Sequence, residues 1–455
     1  MKTNQQNSAA LVNRITCKPD FNLLKKTYRK NELIVTFKCN PSPEEERAVE
    51  RYFKEMNITG IKVVKYDRCE LPVQLWIAEN IDTVVSGKGV KAGTGPGTQT
   101  VGESYSLNFL SNIPHYAWDQ SSQKSSADIE SPQNKKEVVK VAILDTGIDP
   151  FIVEPGYVGT NMKNKPGYEC FSDSGNGWNF VADNSDIEDD NPGRHGSLVA
   201  QYIINEFKKS PTKTVEIIPL KTHDSNGHGD LFKIFCGVHY AIAKGAKIIN
   251  ASWGFYYYEE EPLKELNELI ATLKDEGILF ITAAGNKSDA DDTIATAILA
   301  QEGLNPTPSQ LRNLAIHHFL PANLSYEADN LITVTTSDGD VVSATENFSN
   351  VYVDLGVIAD KAENGSLLFK VPFNQAGPAE HIGGSSFATA IATGVIGANC
   401  NTGLYTRKTI NKQSFIDDLS TASENARGIN LCQKFPALED ELIRDGVCVT
   451  KNPDI

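Results

Sequence analysis

Residues 138–149, VVKVAILDTGID, decide the fold class, because a run of mostly apolar residues ends abruptly at Asp145 and a glycine-containing turn. Runs that are apolar at consecutive positions are typical of parallel strands covered on both faces. Similar runs recur along the chain, at 215–220, 247–252, 278–284 and 331–336. Helical patterns at 231–245 and 262–277 lie between them, and each ends at a glycine that suits a helix C-terminus. Alternating strands and helices predict an α/β domain with a doubly wound parallel sheet flanked by helices.

The N-terminal part of the chain has another pattern. Residues 31–81 read as strand, helix, strand and strand, with Ser42 placed to cap the helix and acidic residues in its first turn. This order predicts a small α+β unit. We therefore divide the chain into an N-terminal region, a flexible linker and a main domain, at residues 1–118, 119–137 and 138–455.

The glycine-rich segment 86–102 admits two interpretations. A loop that cradles phosphate would follow a strand, open a helix and end in Gly-Lys-Ser or Gly-Lys-Thr, and the sequence offers none of these features. A flexible linker is the better interpretation.

Composition excludes several classes of function. The 455 residues carry 43 Lys and Arg against 58 Asp and Glu, and the net charge of −15 opposes binding to nucleic acid or to anionic membranes. The sequence has neither a membrane-length apolar segment nor the apolar core of a secretion signal. We expect a cytoplasmic protein, or a secreted one if a signal has been removed. The 8 cysteines favour ordinary thiols, with a disulfide in the secreted case as the alternative, among Cys400, Cys432 and Cys448.

Four polar residues lie where strands of the predicted sheet end or where helices begin, the positions at which α/β sheets gather their working groups. In chain order they are Asp145, His195, Asn286 and Ser386. Each alone has an ordinary structural interpretation, as a turn residue, a surface residue or a helix cap. Together they are the side chains that nucleophilic acyl transfer requires.

These segments resemble those of the subtilisin family of serine proteases. The resemblance covers residues 138 to about 400 and rests on five motifs in the family's order, namely DTGID at 145–149, HGSLVA at 195–200, NASWG at 250–254, TAAGN at 282–286 and GSSFATA at 384–390. It implies a subtilisin-like fold and a serine endopeptidase. Leu198 and Ala390 depart from the family's usual residues, but neither position supplies a reacting proton, so we expect altered packing and retained activity.

The resemblance assigns roles to the four polar residues. Ser386 would attack the peptide carbonyl, His195 would be its base, and Asp145 would orient the imidazole. Asn286 and the Ser386 backbone N–H would stabilise the oxyanion. An extended peptide would be held along two edges, formed by Ser252, Trp253, Gly254, Ala283, Ala284 and Gly285.

The resemblance also implies partners. Substrates would be proteins or peptides, and the N-terminal region would be a prodomain that inhibits the catalytic domain until cleaved, as in a zymogen. The rival role for this region is a recruitment module that leaves catalysis unchanged. No cofactor is required; a structural calcium ion stays open, because the family often binds calcium and no residue set identifies a site. The alternative from another functional class is a non-catalytic protein that holds peptides in a protease-like groove.

Three segments near the cleft carry further expectations. The acidic loop 183–193 lacks the spacing of an EF-hand, so we interpret it as a solvated loop rather than a calcium site. Residues 259–261 are interpreted as a solvated helix N-terminus, with an acidic edge for basic substrates as the alternative. The connection after Asn286 is long for the family, and we predict helices at 293–304 and 311–320 that wall the cleft.

Overall fold

A computed structural model describes residues 27–37, 39–66, 71–86, 104–114, 136–168, 175–258, 262–301, 305–338, 341–372, 380–421 and 429–431. The predicted linkers fall almost entirely outside these ranges, and residues 259–261 lie outside them. The expectations for those segments therefore stay predictions.

The N-terminal unit is an antiparallel sheet with a helix packed across it. Its strands are joined in the order β2-β3-β1-β4, and the sheet continues into β8 (His228–Asp230) of the main domain. The predicted order of strand, helix, strand and strand is present, and the sheet includes a further strand, β4, which the sequence analysis did not predict. The elements are β1 (Tyr28–Thr36), α1 (Pro43–Glu55), β2 (Lys62–Val64), β3 (Val73–Ile77), α2 (Thr83–Ser86) and β4 (Ser104–Asn112).

Helix α1 begins as the sequence predicts. The Ser42 hydroxyl accepts the Glu45 backbone N–H at 3.3 Å, and the Glu45 carboxylate accepts the Ser42 backbone N–H at 2.7 Å. This capping box satisfies two N–H groups that the first turn would otherwise leave without partners. The buried face is made by Val49, Tyr52 and Phe53, at helical spacing.

The main domain is built on a mixed sheet whose order is β19-β15-β13-β11-β9-β5-β7-β6, with β14 beside β13. Neighbours from β15 to β6 are parallel, and β14 and β19 are antiparallel. The predicted doubly wound parallel sheet is confirmed. The strands after β4 are β5 (Glu137–Asp145), β6 (Trp178–Asn179), β7 (Lys213–Lys221), β8 (His228–Asp230), β9 (Ile248–Ala251), β10 (Phe255–Tyr256), β11 (Leu279–Ala283), β12 (Phe319–Leu320), β13 (Leu331–Asp338), β14 (Val341–Val342), β15 (Leu355–Ile358), β16 (Asp360–Lys361), β17 (Leu367–Lys370), β18 (His381–Ile382) and β19 (Ile429–Leu431).

The helices of the main domain are α3 (His195–Lys208), α4 (Leu231–Lys244), α5 (Lys264–Glu276), α6 (Asp289–Gln301), α7 (Ser385–Asn399) and α8 (Lys412–Thr421). Helices α4 and α5 stop at Gly245 and Gly277, whose φ angles of 78° and 70° are left-handed. Glycine reaches this conformation without a Cβ clash, so both predicted C-termini are confirmed.

One predicted helix of the connection after Asn286 is wrong. Residues 311–320 contain the end of a 3₁₀ turn, Gln310–Arg312, followed by β12. Strand β12 pairs with β10, and the His317 ring stacks on the Tyr256 ring with centroids 3.8 Å apart. These tertiary contacts outweigh the local helical pattern. The other predicted helix exists as α6, over 289–301.

Hydrophobic clusters cover both faces of the main sheet. Along β5, Val141 and Ile143 face the cluster that includes α3 and α7, whereas Ala142 and Leu144 face the cluster that includes α4 and α5. This alternation explains why the strand is apolar at consecutive positions. In the described part of the chain, no helix combines the length and the apolar character that crossing a bilayer requires.

The described cysteines Cys39, Cys236 and Cys400 are free thiols. Cys400 is buried, and its Sγ lies 3.7 Å from the Phe415 carbonyl oxygen. Cys432 and Cys448, the other members of the alternative disulfide group, lie outside the described residues.

Candidate active site

Asp145 and His195 form a buried pair at the carboxyl end of β5. Asp145 Oδ1 lies 2.8 Å from His195 Nδ1 and also accepts the Thr146 backbone N–H at 2.8 Å. The two side chains are only 1% and 2% exposed. A carboxylate at Nδ1 fixes the tautomer of the ring and makes Nε2 the basic nitrogen.

Two glycines allow α3 to begin this close to β5. A Cβ on Gly196 would lie 2.3 Å from the Gly147 carbonyl oxygen, which is far inside van der Waals contact. Gly147 itself has a φ of 113°, a conformation that favours glycine. A side chain at either position would push His195 away from Asp145.

Asp189 ties the segment that carries Asp145 to the helix that carries His195. Its Oδ1 accepts the Thr146 hydroxyl at 2.8 Å. Its Oδ2 accepts the Ser197 backbone N–H at 3.0 Å and the Ser197 hydroxyl at 2.7 Å. The side chain is wholly buried, and this burial raises the pKa of the carboxyl.

This finding corrects the interpretation of the acidic loop 183–193. Most of the loop is exposed, as expected of a solvated segment, but Asp189 is an interior residue. Nothing in the composition of the loop distinguishes Asp189 from its acidic neighbours. A spacing argument from Ser197 was the only available signal, and it is weak.

Ser386, the second residue of α7, is joined to Ser252 by two reciprocal hydrogen bonds. The Ser386 hydroxyl donates to the Ser252 carbonyl oxygen at 2.9 Å, and the Ser252 hydroxyl donates to the Ser386 carbonyl oxygen at 2.9 Å. The ring of Phe387, the next residue of α7, lies 5.3 Å from the His195 ring, centroid to centroid. The first turn of α7 therefore packs against the imidazole.

The Asn286 side chain is fixed by the residue before Ser386. Its Oδ1 accepts the Ser385 backbone N–H at 3.0 Å and the Ser385 hydroxyl at 3.3 Å. Because the oxygen is engaged in this way, the amide nitrogen is the end that can donate to a ligand. A fixed N–H donor next to a serine hydroxyl is suited to stabilising an oxyanion.

A buried network that the sequence analysis missed supports the Asn286 backbone. The Tyr256 hydroxyl lies 2.9 Å from the Asn286 carbonyl oxygen and 3.1 Å from Asn347 Oδ1. Arg312 donates to the same hydroxyl at 3.2 Å and forms an ion pair with Asp292. Burial raises the pKa of Tyr256 to about 12, so the phenol keeps its proton. Arg312 and Asp292, which belong to the segment after Asn286, thus help to hold the Asn286 backbone in position.

A pocket of about 460 Å³ opens beside Ser386. The predicted peptide-binding residues that line it are Ser252, Trp253, Gly254, Ala283 and Gly285, together with Asn286. Ala284 does not line the pocket; it is fully buried in the cluster that contains Tyr256 and Phe319. The connection after Asn286 contributes Asp291, Ile294 and Phe319 to the wall, as the sequence analysis predicts for that segment.

The N-terminal region enters the same pocket. Leu110, Ser111 and Asn112 of β4 pair antiparallel with β8. The Ile113 N–H continues this ladder and donates to the Gly227 carbonyl oxygen at 2.8 Å, and on the opposite side the Asn112 N–H donates to the Gly254 carbonyl oxygen at 3.2 Å. Residues 110–114, which we call the cleft segment, therefore run along the pocket as an extended chain, and all of them except Ser111 line it.

The described residues contain no group of three or more His, Cys, Asp or Glu side chains placed to hold a metal ion. The expectation of a structural calcium ion stays untested.

Comparison with known proteins identifies a family and several relatives. The model of the subtilase family matches residues 136–406. Subtilisin-like protease 1 of Plasmodium vivax is 27% identical over 243 residues, which are 49% of this chain and 35% of that protein. The cell wall-associated protease of Bacillus subtilis is 35% identical over 123 residues, which are 26% of this chain and 12% of that protein. The chain thus spans well under half the length of these two relatives.

Among solved structures, the epidermin leader peptide processing serine protease EpiP of Staphylococcus aureus is 15% identical to this chain. The match covers 86% of this chain and 92% of that chain, with a TM-score of 0.46.

Proposed function

Because the chain belongs to the subtilase family, we propose that it is a serine endopeptidase with Ser386 as nucleophile, His195 as base and Asp145 as the residue that orients the base. The observation that carries the proposal is the buried 2.8 Å contact between Asp145 Oδ1 and His195 Nδ1, with the first turn of α7 packed on the same ring.

The reaction begins when the Ser386 hydroxyl turns from the Ser252 carbonyl oxygen toward His195 Nε2. His195 takes the hydroxyl proton as Oγ attacks the peptide carbonyl carbon, and Asp145 stabilises the resulting imidazolium. His195 then returns the proton to the leaving amine as the C–N bond breaks. Water, activated by His195 in the same way, hydrolyses the acyl-Ser386 ester and restores the serine.

Negative charge on the attacked oxygen is stabilised by two N–H donors. Asn286 Nδ2 is one, since its Oδ1 is held by Ser385. The Ser386 backbone N–H, at the positive end of α7, is the other. Fixed donors of this kind stabilise the transition state more than the ground state because they point at charge that develops during attack.

The N-terminal region acts as an inhibitory prodomain in this proposal. The cleft segment is hydrogen-bonded to Gly254 on one side and to Gly227 and β8 on the other. Leu110, Asn112, Ile113 and Pro114 line the pocket with Ser386. Extended backbone pairing is the mode by which proteases hold peptides. A substrate would have to displace this segment. A recruitment module, the rival role, has no need of a hydrogen bond to Gly254 or of a place beside the pocket that Ser386 lines.

Labelling with a fluorophosphonate tests the catalytic proposal. An active triad modifies Ser386, and mass spectrometry of the labelled peptide locates the adduct. The variant Ser386→Ala should take no label, and His195→Ala should label far more slowly than the native chain. Absence of labelling in the native chain, even after proteolytic removal of the cleft segment, would favour the non-catalytic peptide-binding alternative.

Inhibition by the cleft segment is tested with Ile113→Asp in the full chain. The Ile113 side chain is only 3% exposed, so a carboxylate there should expel the segment. We expect labelling of Ser386 to accelerate at least tenfold. Val138→Asp is the matched control because Val138 is 53% exposed, and it should leave the rate unchanged. Equal rates in all three proteins would support the recruitment role.

A further inference from the structure

The cleft segment shows how a peptide lies along the pocket, and its register identifies which residue faces Ser386. Asn112 is bridged antiparallel to Gly254. Two residues further in each direction, Pro114 lies opposite Ser252, whose carbonyl oxygen accepts the Ser386 hydroxyl. The carbonyl presented to the nucleophile is therefore that of Pro114, and Ser111 is the residue three positions before it.

Ser111 is the residue of the cleft segment whose side chain is hydrogen-bonded to the main domain. Its hydroxyl is wholly buried and lies 3.0 Å from His223 Nε2. The other ring nitrogen of His223 lies 3.0 Å from the Thr222 hydroxyl. The ring also packs near Trp253, with centroids 5.9 Å apart. A hydroxyl at this position of the peptide is thus within hydrogen-bond distance of the His223 ring, and the other ring nitrogen is fixed by Thr222.

The fit depends on a glycine in the paired strand. Gly229 is the partner of Ser111 in β8, and a Cβ on Gly229 would lie 2.7 Å from His223 Cδ2. The imidazole therefore occupies the space that a side chain would take. This arrangement brings the ring against the β8 backbone, within hydrogen-bond reach of the serine side chain on the paired strand.

The charge state of His223 favours a hydroxyl. The ring is fully buried, and burial lowers the pKa of His223 to about 4, so the ring is neutral at pH 7 to 8. A neutral imidazole has one N–H and one acceptor nitrogen, and a hydroxyl can pair with either. The titratable groups that act on the ring are Asp145, His195, Asp224 and Asp230, and the three carboxylates disfavour an acidic side chain on the peptide at this site.

We propose that the cleft selects substrates with serine three residues before the residue whose carbonyl Ser386 attacks, and that His223 is the residue that recognises the serine hydroxyl. The inference rests on the proposed protease function. A residue without a hydroxyl would leave His223 Nε2 buried opposite a carbon atom, and an unsatisfied buried nitrogen weakens binding.

Two peptides that differ by one oxygen atom test the inference. They are acetyl-Ser-Asn-Ile-Pro and acetyl-Ala-Asn-Ile-Pro, each joined by an amide bond to a fluorogenic amine, and the full chain hydrolyses them in separate assays. The measured quantity is the ratio of the two kcat/KM values. The chain's own cleft segment competes equally with both peptides, so the ratio does not depend on the fraction of uninhibited enzyme. We expect the serine peptide to be favoured at least tenfold.

Variants of the full chain assign the preference to His223. His223→Leu should reduce the ratio to about one, and His223→Gln, which keeps a hydrogen-bonding side chain, should retain part of it. His381→Leu makes the same chemical change at an exposed histidine of β18, a strand that pairs with β17 and not with the cleft segment, and it should keep the native ratio.

The outcomes separate the inference from the function on which it rests. Equal kcat/KM values for the two peptides in the native chain overturn the serine preference and leave the protease proposal standing. If the native chain takes the fluorophosphonate label at Ser386 but hydrolyses neither peptide, the serine preference is likewise overturned and the protease proposal stands. A native chain that neither takes the label nor hydrolyses either peptide overturns both.

Discussion

The Asp189 carboxylate receives both hydrogen-bond donors of Ser197, the backbone N–H at 3.0 Å and the hydroxyl at 2.7 Å. Ser197 stands two residues after His195, and the other oxygen of Asp189 accepts the hydroxyl of Thr146, the residue after Asp145. One buried carboxylate therefore joins the strand end that carries Asp145 to the helix start that carries His195. The geometry of this pair depends on a residue that has no chemical role in the proposed reaction.

Replacing Asp189 should cost both stability and rate. Asp189→Ala removes the acceptor for four donors, the two of Ser197, the Thr146 hydroxyl and the Asn191 backbone N–H, in a buried site. Hydrogen bonds to a charged group contribute about 1.5–3 kcal/mol each. We expect the free energy of unfolding to fall by about 3 kcal/mol and kcat to fall more than tenfold, as measured by denaturant titration and peptide hydrolysis. Asp186→Ala, in the exposed part of the same loop, is the control and should change neither. Native kcat in Asp189→Ala would show that the pair keeps its geometry without this tie.

Loss of the Asn286 amide should affect the transition state more than substrate binding. Asn286→Ala removes one oxyanion donor, and the corresponding loss in subtilisin costs about 2.7–4 kcal/mol. We therefore expect kcat to fall about 10²- to 10³-fold with KM nearly unchanged. Asn286→Asp keeps an acceptor for Ser385 but places negative charge beside the developing oxyanion, so its kcat should be lower still. A rise in KM at constant kcat in both variants would assign Asn286 to substrate binding instead.

The Tyr256 hydroxyl should act through the position of Asn286. Tyr256→Phe removes the 2.9 Å hydrogen bond to the Asn286 carbonyl oxygen and leaves Arg312 with one partner fewer. We expect kcat to drop roughly fivefold to tenfold, near the value of one neutral hydrogen bond, with KM unchanged. Tyr258→Phe, whose hydroxyl contacts Asp291 and His317, is the matched control for a buried phenol outside this contact. The same kcat loss in both variants would indicate general loosening of the cluster.

Local patterns in the sequence predict the elements whose causes are local. The capping box at Ser42 and the glycines that end α4 and α5 act within a few residues, so each can be read from the chain. The paired hydrophobic faces of β5 follow from its continuous apolar run in the same way. The proposed catalytic residues could be located for a related reason, since they lie at strand ends and helix starts, where the sequence pattern changes.

Contacts between distant segments could not be predicted in this way. Residues 311–320 look helical, but β12 forms because Phe319 and Leu320 meet β10, more than sixty positions earlier in the chain. Strand β4 likewise takes its partners from β1 and β8. The pairing of Ser111 with His223 joins residues 112 positions apart. The periodicity of a segment carries no information about a partner that lies so far away in the sequence.

Glu346 is a buried acid whose backbone lies beside that of Asn286. Its backbone is bridged to that of Asn286, and its side chain is 2% exposed. Burial raises the pKa of Glu346 to about 7, from 4.5 for an exposed glutamic acid. The folded protein therefore binds a proton at Glu346 between pH 4.5 and pH 7, where the unfolded chain has released it.

Stability should consequently fall as pH rises through this window. Because the folded state binds more protons, the free energy of unfolding decreases as the pH rises from 4.5 to 7. Above pH 7 the stability that the Glu346 proton contributes is fully lost. A shift of this size corresponds to about 3 kcal/mol. Glu346→Gln cannot ionise, so its unfolding free energy relative to the native chain should increase by about that amount from pH 4.5 to pH 8. The measurement is denaturant titration of both proteins across this range, with the exposed Glu327→Gln as control. If the difference between Glu346→Gln and the native chain stays constant with pH, Glu346 is already ionised in the folded protein at pH 4.5 or titrates at the same pH in both states.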